Sequence, residues 1–231
     1  MKFFRLIPIL VVASCLNTRA GIIYSATSGT IPDGTTAGWS ATATASGYQP
    51  TISDVSVNLH LSGGFNGDLY AYLSYGGVLV PLLNRVGLET GNSFGYANTG
   101  FNITLSSAGA YDVHWYQQHS PSYDSGTGQL LGTWRPDGRA IDPLSSPGSF
   151  GAGGSMGFAN FNGANPNGTW TLFISDVSAG GQSQLLGWSL DITAVPEPVN
   201  VALGVFGAVL VLSALARSKR VQDLVCPLLH H

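Results

Sequence analysis

Three histidines, His60, His114 and His119, and ten carboxylates, nine aspartates plus Glu89, are the groups between residues 21 and 195 with acid–base or metal-binding chemistry. An enzyme site needs a nucleophile held beside a base, or a metal cluster. The stretch contains no His-Glu-x-x-His pair. His60 and His114 fall on outward positions of alternating segments, and His119 falls in a loop. A non-catalytic protein is therefore expected, with no catalytic residue to name. Calcium asks for about six to eight oxygens, several of them carboxylates. Asp54, Asp68 and Asp176 bracket apolar runs and form a candidate calcium set, although no Asp-x-Asp-x-Asp-Gly loop is present. Asp68 has a structural alternative: an aspartate in a turn hydrogen-bonds nearby amides and fixes the strand that follows. Tyr70 and Tyr72 lie on the polar side of their segment. They are either cross-strand packing on a wet sheet or a stacking platform for sugar rings.

These residues must be positioned by strands. Val55, Val57, Leu59 and Leu61 alternate with polar residues, as do Leu69, Ala71 and Leu73, and Phe101, Ile103 and Leu105. Tyr111, Val113 and Trp115 repeat the pattern, followed later by Trp170, Leu172 and Ile174 and by Trp188, Leu190 and Ile192. A period of two marks a strand with one buried and one wet face. Val78 to Leu83 is a further short run, weakened by Pro81. Glycine-rich turns such as Gly63-Gly64, Gly76-Gly77 and Gly180-Gly181 separate the runs. The expected fold is all-β, an antiparallel β-sandwich of jelly-roll type over residues 49–194. Residues 21–48, rich in Thr, Ser, Ala and Gly, read as a low-complexity edge segment. Residues 117–157 read as a long surface loop, either functional or mobile.

Only 9% of the residues are charged. Six of the nine Lys and Arg side chains lie near the ends: Lys2, Arg5, Arg19, Arg217, Lys219 and Arg220. Between 21 and 195, three arginines face ten carboxylates, a formal charge of −7 with no lysine. Such a surface repels nucleic acid, which is excluded as a partner. Both cysteines, Cys15 and Cys226, also lie outside this stretch, so the central domain has no disulfide and rests on its core. Residues 1–20, with Lys2 and Arg5 ahead of an apolar run and small residues at 18 and 20, read as an export signal cut after Ala20. A lipoprotein signal at Val12-Ala13-Ser14-Cys15 is the alternative. Near the other end, the 18-residue stretch 199–216 carries no charge. At about 1.5 Å per residue it reaches roughly 27 Å, close to a bilayer core. Arg217, Lys219 and Arg220 follow it, the order expected of a membrane helix with its C-terminal end inside.

Residues 52–83, with Asn66-Gly67-Asp68-Leu69 between two alternating runs, resemble the first half of a P domain (P/Homo B). That is the β-sandwich which accompanies the protease domain of kexin- and furin-type proprotein convertases. Residues 161–192, with Gly168-Thr169-Trp170, Asp176 and Gly187-Trp188, resemble its second half, and Gly132-Thr133-Trp134-Arg135-Pro136 a segment between. The resemblance implies structural roles for Asp54, His60, Gly67, Asp68, Leu69, Gly168, Trp170, Asp176, Gly187 and Trp188. The turns at Phe65-Asn66 and at Tyr75-Gly76-Gly77 depart from the family pattern, and the convertase protease domain is absent from the sequence. The end of the chain, 195–220, is similar to a PEP-CTERM sorting signal: Pro196-Glu197-Pro198, an apolar span, then Arg217, Lys219 and Arg220. Residues 221–231 extend past the family pattern as a tail of unassigned role. That resemblance implies an exported protein, processed by an exosortase and delivered to the cell surface or extracellular matrix, with exopolysaccharide or another surface protein as company. Two alternatives stand beside it: a glycan- or protein-binding module working through residues 117–157, and a detached accessory of a subtilisin-like serine endopeptidase.

Overall fold

The structure, a computed structural model, describes residues 19–25 and 28–225, with side chains described for 20–23, 28–197 and 202–217. The chain separates after Val195 into a β body and a unit holding the C-terminal helix. In order, the strands are β1 Arg19–Ser25, β2 Gly29–Thr30, β3 Thr35–Ala45, β4 Thr51–Gly63, β5 Leu69–Tyr75, β6 Val78–Asn84, β7 Phe101–Ser106, β8 Leu130–Trp134, β9 Gly168–Asp176 and β10 Ser183–Val195. One sheet runs β1-β10-β4-β7-β8, with β2 also paired to β10; the other runs β3-β9-β5-β6. The body is all-β in two sheets, and its pairings are antiparallel except for β7 with β8, which run parallel.

Strand alternation places the core as expected. Val55, Val57, Leu59 and Leu61 of β4 face Leu69, Ala71 and Leu73 of β5 and Trp170, Leu172 and Ile174 of β9 across one apolar cluster. Trp170 is fully buried; Tyr75 stacks on it at 4.1 Å, Phe161 meets its edge at 5.0 Å, and its indole N–H donates to the Pro166 carbonyl at 3.0 Å. Large rings whose polar atoms are satisfied contribute the most burial per residue.

Three expectations need correction. The domain does not begin at residue 49: β1 completes one sheet against β10 and β3 forms the edge of the other against β9. Ala41, Ala43 and Ala45 of β3 are buried while Thr42 and Thr44 are exposed, an alternation written in side chains too small to stand out. Residues 117–157 are not one loop, since they contain β8 and a 3₁₀ turn at Pro147–Phe150. Tyr111, Val113 and Trp115 do not form a strand. Asp112 accepts the backbone N–H of His114 at 2.8 Å and caps a 3₁₀ segment, Val113–His119, in which Val113 and Tyr116 are buried at a spacing of three.

The helix α1 spans Pro198–Val225, and its described side chains are exposed. No helix of the described residues is long and apolar enough to cross a membrane. The expected span, 199–216, begins at positions whose side chains lie outside the described residues, as do those of Lys219 and Arg220. Residues 1–18, and with them Cys15 and all but Arg19 and Ala20 of the expected export signal, also lie outside the described residues.

Candidate functional site

The three aspartates of the calcium expectation are not brought together. Asp68 and Asp176 meet at the joined ends of β5 and β9, where Leu69 pairs with Asp176. Asp54 is exposed and pairs with Thr193, whereas the hydroxyl of Ser183, ten positions back along β10, donates to Asp176 at 2.8 Å. Ten residues of strand separate these points by roughly 30 Å. Among the described residues no group of three or more His, Cys, Asp or Glu could hold a metal ion. The cation beside Asp68 and Asp176 is Arg85. Its Nη2 lies 3.6 Å from Asp68 Oδ1, and its Nε donates to the Gly67 carbonyl. Burial pushes the Asp68 carboxyl up despite Arg85, and it pushes the Asp176 carboxyl up to about 6.

A second buried charge network lies at the loop end of the body. His114 is fully buried, not outward-facing, because it sits in the 3₁₀ segment and not on a strand. Its Nδ1 is 2.7 Å from Asp137 Oδ2 and its Nε2 is 3.1 Å from the Leu88 carbonyl. Both ring nitrogens thus face acceptors, and neither is free for a substrate. Asp137 also takes the Asn84 backbone N–H at 3.1 Å and Arg139 Nη1 at 3.1 Å, and Arg139 Nη1 reaches Asp112 Oδ2 at 2.7 Å. Arg139 Nε donates to the Phe150 carbonyl at 2.9 Å, and the guanidinium lies 5.3 Å from the centre of the Trp115 ring. The Asp112 carboxyl is raised by burial and by Asp137, against the pull of Arg139.

Above this network opens a cleft of about 490 Å³. One wall is Asp112, Arg135, Pro136 and Asp137; the other is the segment 153–160. Two glycines let that segment lie against the network. Gly138 has φ +68°, and a side chain there would strike the Met156 carbonyl; one at Gly154 would strike the Asp137 carbonyl. Ser155 and Met156 both donate to the Gly138 carbonyl at 3.1 Å, closing the contact.

Tyr70 and Tyr72 lie on the outer face of their sheet, where Phe173 joins them. Tyr72 and Phe173 are register partners and stack at 4.8 Å with planes 18° apart, and Tyr70 meets Tyr72 at 5.8 Å. One face of each stacked ring is therefore covered by its neighbour, which is the geometry of cross-strand packing. His60 is half-buried on the outer face of the other sheet, 3.4 Å from Gln129 Oε1. His119 stacks on Tyr111 at 3.7 Å. Leu69 and Trp188 lie in the core, and Gly187 follows a bulge that turns Leu186 outward. Gly168 and Gly67 are close-approach positions, facing Tyr75 and the backbone of Phe94 to Tyr96. Pro196, Glu197 and Pro198 follow β10 directly, and Arg217 lies on α1.

Sequence reasoning misses the network itself: Asp112, Asp137, Arg139 and the cleft residue Arg135. One signal was present. With three arginines and no lysine between residues 21 and 195, each arginine is a position where charge is placed deliberately, and two of the three fall within five residues of each other.

No family model and no curated protein matches the chain. Among solved structures it is similar to a serine protease of Aeromonas sobria in complex with the chaperone ORF2, at 18% identity and a TM-score of 0.41, over 77% of this chain and 26% of that one. It is likewise similar to the serine protease of Aeromonas sobria alone, at 18% identity and a TM-score of 0.40, over 76% of this chain and 26% of that one. The chain thus spans about a quarter of the length of those proteins.

Proposed function

We propose that this chain is an exported, non-catalytic binding module of the cell surface or extracellular matrix, delivered through its C-terminal segment. The observation that carries the reading is the division after Val195: the β body ends with its last strand, and Pro196-Glu197-Pro198, an apolar helix and Arg217 follow without a linker. That is the order of a PEP-CTERM signal, in which an exosortase acts near the Pro-Glu-Pro. A membrane anchor over 199–216 belongs to the same proposal. The placement of the histidines supports a non-catalytic body, since His114 is spent on Asp137 and Leu88, His119 stacks on Tyr111, and His60 faces Gln129. The binding end of the module is the loop end, where the cleft opens.

Intact-mass analysis of the mature protein from its native host tests the proposal. The expected species begins at Gly21 and ends near Pro198. A species that begins at a lipidated Cys15, or that keeps residues 199–231, overturns the corresponding half of the reading.

A further inference from the structure

Among the three arginines of residues 21–195, the cleft holds the one without an ion pair among the described residues. Of the three arginines between 21 and 195, Arg85 is buried beside Asp68 and Arg139 is buried against Asp112 and Asp137. Arg135 is exposed, lines the cleft, and makes no ion pair among the described residues. Its backbone is pinned on both sides: the N–H donates to the Tyr111 carbonyl at 2.8 Å, and the carbonyl accepts from Val113 at 3.0 Å. The main chain is thus fixed while the guanidinium is left for something else. The carboxylates of the same wall cannot neutralise it. Asp112 is occupied by Arg139 and the His114 N–H, and Asp137 by His114, Asn84 and Arg139.

The rest of the cleft is short in charge and rich in small polar groups. Ser107, Ser155 and Asn160 line it, with Met156 and Pro136 as apolar surface. Asn160 Oδ1 already accepts the Gly157 N–H at 2.9 Å, so its amide N–H₂ remains to donate. A single fork of N–H donors suits a carboxylate, and hydroxyl and amide groups beside an apolar patch suit a sugar ring. Residues 21–195 carry a formal charge of −7, which repels a long polyanion but is screened within about 8 Å at physiological salt. One carboxylate in an otherwise neutral chain fits this field better than a polyuronate.

We propose that the cleft binds a carboxylate-bearing sugar, a uronate residue within a mostly neutral glycan. Arg135 pairs with the carboxylate, and Ser107, Ser155 and Asn160 bond the hydroxyls. The inference deepens the reading of the loop end as the binding end.

Calorimetric titration of the full chain with a glucuronate-containing oligosaccharide, and with the neutral oligosaccharide of equal length, tests it. The acidic sugar is expected to bind at least about tenfold more tightly, Arg135→Gln to abolish that preference, and Arg135→Lys to keep part of it. Because Arg135 is exposed, the variants should melt with the parent protein, which separates lost binding from lost folding. Equal affinity for both sugars, or acidic binding unchanged in Arg135→Gln, overturns the role of Arg135 while leaving glycan binding in place. Arg135-dependent binding of a peptide C-terminus with none of the uronate overturns the sugar assignment. Failure of every ligand at millimolar concentration overturns the cleft as a site and leaves the export reading to the mass measurement.

Discussion

The body buries two clusters in which an arginine meets two aspartates, and they are built to different standards. Under the cleft, Arg139 lies 2.7 Å from Asp112 and 3.1 Å from Asp137, and Asp137 is further held by His114 and the Asn84 N–H. At the β5–β9 junction, Arg85 stands 3.6 Å from Asp68, and Asp176 Oδ1 is buried without a hydrogen-bond partner. The first network has close partners for its charges, apart from Arg139 Nη2. The second leaves a carboxylate short of them, and the carboxyl responds by rising to about 6. Removing charges from water costs several kcal/mol per ion, and only close, multiple contacts offset that. The loop end is held by compensated charge, whereas the junction tolerates a carboxylate that is better off protonated.

The largest effect is expected where compensation is best. Arg139→Met keeps the bulk but leaves Asp112 and Asp137 facing each other without their shared cation, and it removes the bond to the Phe150 carbonyl. A loss of about 3–5 kcal/mol is expected in urea unfolding. The segment 153–157 should loosen with it, since it rests on Asp137 and Gly138, and hydrogen exchange at Ser155 and Met156 reads that directly. A change below about 1 kcal/mol would show that the network is not the support of the cleft.

The junction should behave in the opposite way. Asp176 is fully buried and its carboxyl sits at about 6 against an ordinary 3.8. Below about pH 3 both the folded and unfolded states hold the proton, and the ionisation penalty vanishes. As pH rises from there to about 6, the unfolded chain ionises first and stability falls; above that the penalty is constant, at most about 3 kcal/mol. Asp176→Asn removes the charge and can still accept the Ser183 hydroxyl. The variant is therefore expected to be more stable than the parent by about 1–3 kcal/mol at pH 7.5, and equal to it near pH 3. Thermal melting at the two pH values checks this. Arg85→Gln is expected to cost less than Arg139→Met, about 1–2 kcal/mol at pH 7.5, because its ion pair is long and its end is a tenth exposed. Equal losses in the two arginine variants would erase the difference between the clusters.

The strands of the body were legible where alternation used large apolar residues. Leu59, Leu73, Trp170 and Leu190 each fall on the buried side as their neighbours predict. β3 escaped because its inward residues are alanines, and β8 because its five residues sit among turn formers. The same period of two misled at Val113 and Trp115, where a capping aspartate overrides it. The site was less legible than the fold. A network such as Asp112, Asp137 and Arg139 is defined by distances between loops, and nothing in the local pattern marks it. The calcium expectation failed for a related reason: Asp68 and Asp176 meet where β5 begins and β9 ends, whereas Asp54 lies within β4 toward the other end of the body.

The smallest expected effect distinguishes the causes of the Asp176 penalty. Burial raises that carboxyl and the Ser183 hydroxyl, donating at 2.8 Å, draws it back down. Ser183→Ala keeps the burial and deletes the bond. A hydrogen bond to a charged acceptor is stronger than one to a neutral one. The variant should therefore lose about 1 kcal/mol at pH 7.5 and roughly half of that near pH 3, where the carboxyl is protonated in either state. Placed in the Asp176→Asn protein, the same substitution should lose its pH dependence, because no charge remains for the hydroxyl to favour. A double-mutant cycle at the two pH values measures that coupling. A pH-independent loss in the parent would mean that Asp176 is not ionised at neutral pH, and that the junction holds a neutral acid beside Arg85.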